Sequence, residues 1–418
     1  SPLAFPQKPY HPLIKNDKLV TASRSNPLND ADASQLIAEE ALEALGGRLA
    51  ADWPFIAAFL SAGNLPDTAR AGIRMISRLI GTEAISGKEA VSRFVSRFGE
   101  RFCGEGMQRL MNGTSGVDVW LPLGFVAAWI RVAGTDSIVP PWVKRNFPGV
   151  YKVMHELRSV PCGNPSCSYC AETHDPVRQL QKFFDYKAFR PEPGMPEDPA
   201  RSLQEEIVTK AMGGSPLLAI LPTGGGKSLC FQLPALQRYY RDGSLTVVIS
   251  PLQALMKDQV DGLANKTGVR CVGALHGLLT PPERGELMEE LQMGGIGLIY
   301  VSPEQLRNPS FRKAIALRDI GFWVCDESHC ISKWGHDFRP DYLYISRFIR
   351  ELSEFTHVTE MAPVLCLTAT AKEDVKEEIR RHFKDQLGQD LLLLDGGAER
   401  TNLAYQVQPV EGNPIHKA

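Results

Sequence analysis

Two groups of residues in this chain have the types and spacing needed for phosphate chemistry. Leu217-Leu-Ala-Ile-Leu-Pro-Thr-Gly-Gly-Gly-Lys-Ser228 runs from an apolar stretch into a glycine triplet, a lysine and a serine. Glycines let backbone N–H groups close around phosphate oxygens, and a helix starting there adds the positive end of its dipole. In such a loop Thr223, Gly224, Gly225 and Gly226 form the cradle. Lys227 reaches the outer phosphates and the Ser228 hydroxyl holds Mg2+. The general pattern has glycine five residues before Gly226, where this chain has Leu221. One hundred residues beyond Lys227, Phe322-Trp-Val-Cys-Asp326-Glu327-Ser328-His329 ends an apolar run in two carboxylates. Asp326 would hold Mg2+ through water, and Glu327 would position and deprotonate an attacking water. His329 completes the set of catalytic candidates.

A third group has the spacing of a metal site. Cys162-x4-Cys167-x2-Cys170-x3-His174 offers four soft or borderline ligands in thirteen residues, and Pro161, Gly163, Asn164 and Pro165 supply tight turns. Four such ligands with no open position suit a structural, tetrahedral Zn2+. An iron–sulfur cluster is the alternative; it prefers four thiolates and would have to recruit Cys103. Free cysteines in a loop are the third reading. The chain has nine cysteines, an odd number mostly scattered through apolar runs, which does not form a secreted disulfide framework.

These groups need elements to position them. After Gly214, short apolar runs alternate with helical stretches: Leu217–Leu221, Thr246–Ile249, Ile296–Val301, Phe322–Cys325 and Val364–Leu367. Runs without polar alternation suit strands buried on both faces, so a parallel sheet in an α/β domain is expected. A helix over Leu229–Tyr240 would follow the glycine loop. Residues 1–155 read as a mainly α-helical accessory domain that opens with an extended arm over residues 1–30. Its helical stretches lie at Asp32–Leu45, Phe55–Leu60, Arg70–Ile80 and Ala90–Phe98. Residues 156–178 form the Cys/His knuckle, and the four prolines of 191–200 mark a loop.

Bulk properties narrow the classes. With 418 residues, 43% hydrophobic and 22% charged, the chain reads as a globular protein of two or three domains. A net charge of −2 argues against a wholly basic nucleic-acid coat but permits a local basic groove. The longest apolar run, Trp120–Ile130, is far shorter than the ~20 residues a membrane span needs, so it reads as buried core. No membrane role and a cytoplasmic setting, the bacterial cytosol or nucleoid, are the expectation.

With these residues in view, the segment from about Phe184 to Tyr405 resembles the RecQ family of DNA helicases. Leu221–Ala235 is similar to that family's motif I, Ser250–Val260 to motif Ia, Tyr300–Leu306 to the next motif of the DNA lobe, and Leu367-Thr-Ala-Thr-Ala371 to motif III. Cys330-Ile-Ser-Lys-Trp-Gly-His-Asp-Phe-Arg-Pro-Asp-Tyr342 resembles the aromatic-rich loop that marks RecQ enzymes. The resemblance implies a RecA-like P-loop lobe that uses ATP and Mg2+. It implies a DNA grip through Ser250, Pro251, Gln253 and Lys257, and a single-strand sensor built from Trp334, His336, Phe338 and Arg339. Aromatic faces stack on bases without needing a sequence, which suits that role. Thr368 and Thr370 would couple hydrolysis to movement. Phe184–Pro191 with Gln204 resembles the adenine-binding motif, in which Tyr186 and Arg190 sandwich the base and Gln204 reads its edge. In this chain a proline-rich stretch of about twelve residues separates Arg190 from Gln204. Ser328 stands where the family usually has Ala.

The implied domain layout is a RecA-like lobe over 179–405. Residues 406–418 then begin a linker to a second lobe of a longer protein. The implied activity is ATP-driven unwinding or translocation on single-stranded DNA or a single/double-strand junction, in the 3′-to-5′ direction, in DNA repair, phage defence or DNA modification. An ATP-gated DNA sensor that parts no strands, and an RNA-directed ATPase, are the competing readings. Protein partners through the N-terminal domain belong to the same set of expectations.

Overall fold

The structure is a computed structural model that describes residues 53–63, 65–112, 119–133, 148–191, 202–332, 339–356, 361–369 and 372–396. The arm expected over 1–30, the helical stretch expected at Asp32–Leu45, most of the proline-rich loop, Trp334, His336, Phe338, Thr370 and residues 399–418 lie outside the described residues.

The first elements are helices: α1 (Trp53–Ala62), α2 (Asp67–Ile80), α3 (Gly87–Phe98), α4 (Gly104–Asn112), α5 (Trp120–Ala133) and α6 (Pro148–Arg158). Apolar residues recur at helical spacing and meet on one side. Phe55 and Phe59 of α1 pack edge-to-face on Phe94 of α3, and Phe94 stacks on Phe102 at 4.8 Å. Ser86 caps α3 by accepting the Glu89 N–H at 3.2 Å, which satisfies one of the orphan donors of the first turn. The Trp120–Ile130 run forms the body of α5. Pro122 falls in its first turn, where a missing N–H costs nothing, and Leu123, Val126 and Ala127 are fully buried. Among the described residues no helix is long and apolar enough to cross a membrane.

Three further helices, α7 (Ser168–Thr173), α8 (Pro176–Phe184) and α9 (Leu203–Met212), lead into the sheet region. There β1 (Leu217–Ile220), α10 (Lys227–Asp242), β2 (Leu245–Ile249), α11 (Gln253–Thr267), β3 (Val272–Leu275), α12 (Pro281–Met293) and β4 (Leu298–Val301) alternate. After α13 (Pro309–Ile315) come β5 (Ile320–Cys325), α14 (Pro340–Thr356), β6 (Val364–Thr368), α15 (Glu373–Leu387) and β7 (Leu392–Asp395). The seven strands form one parallel sheet in the order β3-β4-β2-β5-β6-β1-β7.

Successive strand residues point to opposite faces, and both faces are covered. Leu217, Ala219, Val248, Tyr300, Val324 and Leu365 enter one core. Leu218, Val247, Ile249, Ile299, Trp323 and Cys366 enter the other. All five expected strands are present. β3 and β7 are additions: β3 has a half-exposed pattern and a central Gly273, and β7 is a sheet-edge strand with exposed Leu392. Crossovers are helical, so the strand ends point one way, and β1, β5 and β6 lie close enough to bring their following loops together.

Candidate active site

The glycine loop follows β1, and α10 begins at Lys227. Gly224 and Gly226 hold φ of 80° and 81°, a left-handed conformation that only glycine adopts without strain. The Gly225 N–H donates to the Pro222 carbonyl at 2.8 Å and closes the turn. The loop is held from outside by the two adenine-motif candidates that the insertion separates in sequence. Arg190 Nη1 donates to the Gly224 carbonyl at 2.6 Å, and Gln204 Nε2 donates to the Gly226 carbonyl at 3.1 Å. The Gln204 Oε1 also accepts the Arg190 N–H at 3.3 Å. Ser202, which caps α9, donates to the Arg190 carbonyl at 2.6 Å. The insertion therefore leaves Arg190 and Gln204 together on the phosphate loop. Tyr186 is exposed, with its ring beside Phe184 at 6.1 Å.

The acid pair arrives at the end of β5. The Lys227 ammonium lies 3.5 Å from Glu327 Oε1, and His329 Nδ1 lies 3.4 Å from Glu327 Oε2. One carboxylate thus sits between two basic groups. Its placement depends on an unusual backbone: Glu327 has φ 48° and ψ 47°. A left-handed non-glycine residue costs roughly 1–2 kcal/mol, and such strain concentrates where a side chain must point in a set direction. Nothing in the residue types announces that turn.

Asp326 is held differently. Its Oδ1 accepts the Glu327 N–H at 3.0 Å, its Oδ2 accepts from Ser250 Oγ at 3.5 Å, and its carbonyl accepts from the buried Tyr342 hydroxyl at 2.8 Å. Burial of its carboxyl, then the neighbouring Glu327 charge, pushes it up to about 6, against the opposing pull of Lys227. Tyr342 is a support that sequence reasoning did not single out, although it closes the quoted aromatic motif.

Thr368 and His329 join the two strand ends. Thr368 Oγ1 is 3.0 Å from His329 Nδ1, and the Thr368 carbonyl accepts the Leu221 N–H at 3.1 Å. The end of β6 therefore touches both the glycine loop and the acid turn. Thr370 lies outside the described residues.

The residues expected to grip DNA divide. Ser250 is buried and faces Asp326; its side chain does not present itself to a strand. Pro251 is partly exposed, Gln253 starts α11, and Lys257 is exposed one turn on. Arg339 Nη1 donates to the Pro251 carbonyl at 3.2 Å, and its N–H donates to the Cys330 carbonyl at 3.0 Å. Arg339 thus ties the end of the aromatic segment to motif Ia. The rings of Trp334, His336 and Phe338 lie outside the described residues.

The structure groups the metal candidates differently in one position. The Sγ atoms of Cys103, Cys162, Cys167 and Cys170 all lie within 4.8 Å of one another. His174 is not among them. It caps the end of α7 and meets the Tyr169 ring edge-on at 6.3 Å. Burial, then Arg241, pushes its imidazole down to about 4. The local spacing Cys-x3-His suggested a ligand because residues four apart share a helix face. The tertiary fold brings up Cys103 instead, 59 residues before Cys162, the thiolate that the iron–sulfur alternative would have to recruit. Four thiols in so small a volume suit a tetrahedral metal ion such as Zn2+.

Comparison with protein families matches residues 201–378 to the DEAD/DEAH box helicase family. The ATP-dependent DNA helicase RecQ of Haemophilus influenzae is 35% identical over 245 residues, 59% of this chain and 35% of that protein. RecQ of Pasteurella multocida is 38% identical over 226 residues, 54% of this chain and 32% of that protein. The probable ATP-dependent DNA helicase RecS of Bacillus subtilis is 36% identical over 229 residues, 55% of this chain and 40% of that protein. The chain spans about a third of the length of these relatives. Residues 201–378, which include β1 to β6 of the parallel sheet, are thus similar to these helicases, and helices precede them.

Proposed function

We propose, from the RecQ-like character of this lobe, that the chain is the ATP-binding part of a DNA-stimulated helicase motor. The observation that carries the reading is the Glu327 carboxylate between Lys227 and His329, with Asp326 beside it. In this reading Thr223 to Gly226 would wrap the phosphates, Lys227 would neutralise charge on them, and Ser228 with Asp326 would hold Mg2+. Glu327 orients and deprotonates the attacking water, and His329 passes its state to Thr368. Tyr186 and Arg190 cover the base while Gln204 reads it. ATP is the substrate and single-stranded DNA, or a junction, the stimulus.

DNA contact reaches the acids by a short route. Arg339 is bonded to Pro251, Ser250 to Asp326, and both acids lie in the turn just before the aromatic segment. A strand seated on Gln253, Lys257 and the aromatic residues would pull on that turn directly. The four thiols would hold a structural Zn2+. Closure of the site is assigned to a second RecA-like lobe in the full-length protein, which would bring an arginine to the transition state. Such a motor works where DNA is, the bacterial cytosol or nucleoid, in the 3′-to-5′ direction.

Strand displacement by the full-length protein tests this reading. ATP-dependent unwinding that is lost in Lys227→Ala supports it. Tight ATP-dependent DNA binding without displacement supports the ATP-gated sensor instead. Equal ATPase stimulation by single-stranded RNA would move the substrate class to RNA.

A further inference from the structure

We infer that the metal site formed by Cys103, Cys162, Cys167 and Cys170 is a staple, one Zn2+ fixing the N-terminal helices onto the far end of the phosphate-loop helix. The inference rests on the zinc assignment above and adds to it a mechanical role.

Ligand geometry favours a single ion. With Zn–S bonds of about 2.3 Å, tetrahedral sulfurs stand roughly 3.8 Å apart. The four Sγ atoms already lie within 4.8 Å of one another. In an iron–sulfur cluster the thiolates bind different iron atoms around a larger inorganic core, so their sulfurs spread further. The backbone around the thiols is shaped for the purpose. Gly163 takes φ 73°, the Cys167 N–H donates to the Asn164 carbonyl at 3.0 Å, and Asn164 Oδ1 accepts the Ser166 N–H at 2.9 Å.

The ligands come from two parts of the chain. Cys103 immediately precedes α4 in the helical unit, while the other three follow α6. Cys103 is bound to α6 through its N–H, which donates to the Leu157 carbonyl at 2.8 Å. A second bridge runs from Asn164 Nδ2 to Glu105 Oε1 at 2.7 Å. Close approach of α4 to α6 is obligatory at Gly106, where a Cβ would meet the Glu156 carbonyl at 2.3 Å.

The same short segment grips α10. Arg158 Nη2 donates to the Tyr240 carbonyl at 3.2 Å, and Ser159 Oγ to Asp242 Oδ2 at 3.1 Å. Gln237 Nε2 donates to the Thr173 carbonyl, just after Cys170, at 3.0 Å. Tyr169 packs against Cys103 and Cys170, and its hydroxyl donates to the Arg158 carbonyl at 3.0 Å. These contacts fall on the last two turns of α10. Lys227 stands at its first, 15 residues and about 22 Å from Asp242. The staple thus holds one end of a helix, with Pro234 inside it, whose other end presents the phosphate loop.

The test uses the whole 418-residue chain. Metal content is read by elemental analysis, affinity by competition with a chromophoric chelator, and backbone protection by hydrogen exchange. The expected result is about one zinc per chain. Cys103→Ser should weaken zinc at least tenfold, and His174→Ala should leave it unchanged. Stripping zinc from the unmodified chain, which needs no mutation, should deprotect residues 102–110 and 236–242 together while β2 and β4 stay protected. No bound metal, or equal affinity in Cys103→Ser, overturns the site itself. Visible absorbance from bound iron overturns the zinc assignment. Zinc that binds with unchanged protection at 236–242 overturns the staple and leaves the metal reading standing.

Discussion

A methyl group added at Gly226 would strike the phosphate loop at its most constrained point. The residue sits at φ 81°, and a Cβ there would lie 2.3 Å from Gln204 Nε2. The left-handed conformation alone costs an L-residue roughly 1–2 kcal/mol. Gln204 must also move, giving up its bonds to the Gly226 carbonyl and the Arg190 N–H. Two such bonds contribute about 1–3 kcal/mol together. Gly226→Ala is therefore expected to lower the melting temperature and to weaken Mg–nucleotide binding by about tenfold or more, since ~1.4 kcal/mol is a factor of ten. Fluorescence anisotropy with a labelled ATP analogue reads the affinity, and circular dichroism reads the melting. Gln204→Ala removes the object of the clash, so the double variant should bind better than the sum of the two single losses predicts. Affinity within threefold of the parent in Gly226→Ala, or strictly additive losses, would refute this account of the loop.

The raised Asp326 carboxyl predicts pH dependence. Because the folded state holds this proton more tightly than an ordinary carboxyl near 3.8, ionising it costs stability as pH rises from about 4 to 6. Mg2+ needs the anion, so Mg–nucleotide affinity should fall about tenfold between pH 7 and pH 5; isothermal titration across that range checks it, and a flat profile contradicts it. Ser328 has a buried hydroxyl with no partner among the described residues. Ser328→Ala should raise stability by up to ~1 kcal/mol, read as a higher denaturant midpoint, because an unsatisfied buried hydroxyl costs about that much. Arg339→Ala removes the tie to Pro251. The ratio of DNA-stimulated to unstimulated ATP hydrolysis should drop several-fold, measured with a coupled assay over a range of single-stranded DNA.

Local pattern carried most of what was readable in the sequence. Leu217–Ile220, Leu245–Ile249 and Ile320–Cys325 are strands because uninterrupted apolar runs fit a doubly covered sheet, and Lys227 opens a helix after its glycines. Lys227 and Glu327 were separated by 100 residues and still meet, because β1 and β5 both flank β6 and end on the same side of the sheet. What stayed hidden was tertiary. Cys103, named in the sequence only as a recruit for the iron–sulfur alternative, joins the knuckle where α4 packs on α6, while His174 stands outside the thiol cluster. Ser250 turns inward to Asp326, which a motif alone does not specify. The left-handed turn at Glu327 and the Tyr342 bond to Asp326 depend on the packing of α14 beneath β5. Gln204 stayed with Arg190 because both bond to the loop and to each other, so the intervening insertion is tolerated.

The most direct measurement is a crystal structure of the chain with Mn2+ and a slowly hydrolysed ATP analogue, the metal being located by its anomalous signal. The account predicts the metal at about 2.1 Å from Ser228 Oγ, with Asp326 reaching it through water and the Lys227 ammonium on the outer phosphates. A triphosphate bound away from Lys227, or a metal that neither Ser228 nor Asp326 approaches, would contradict it.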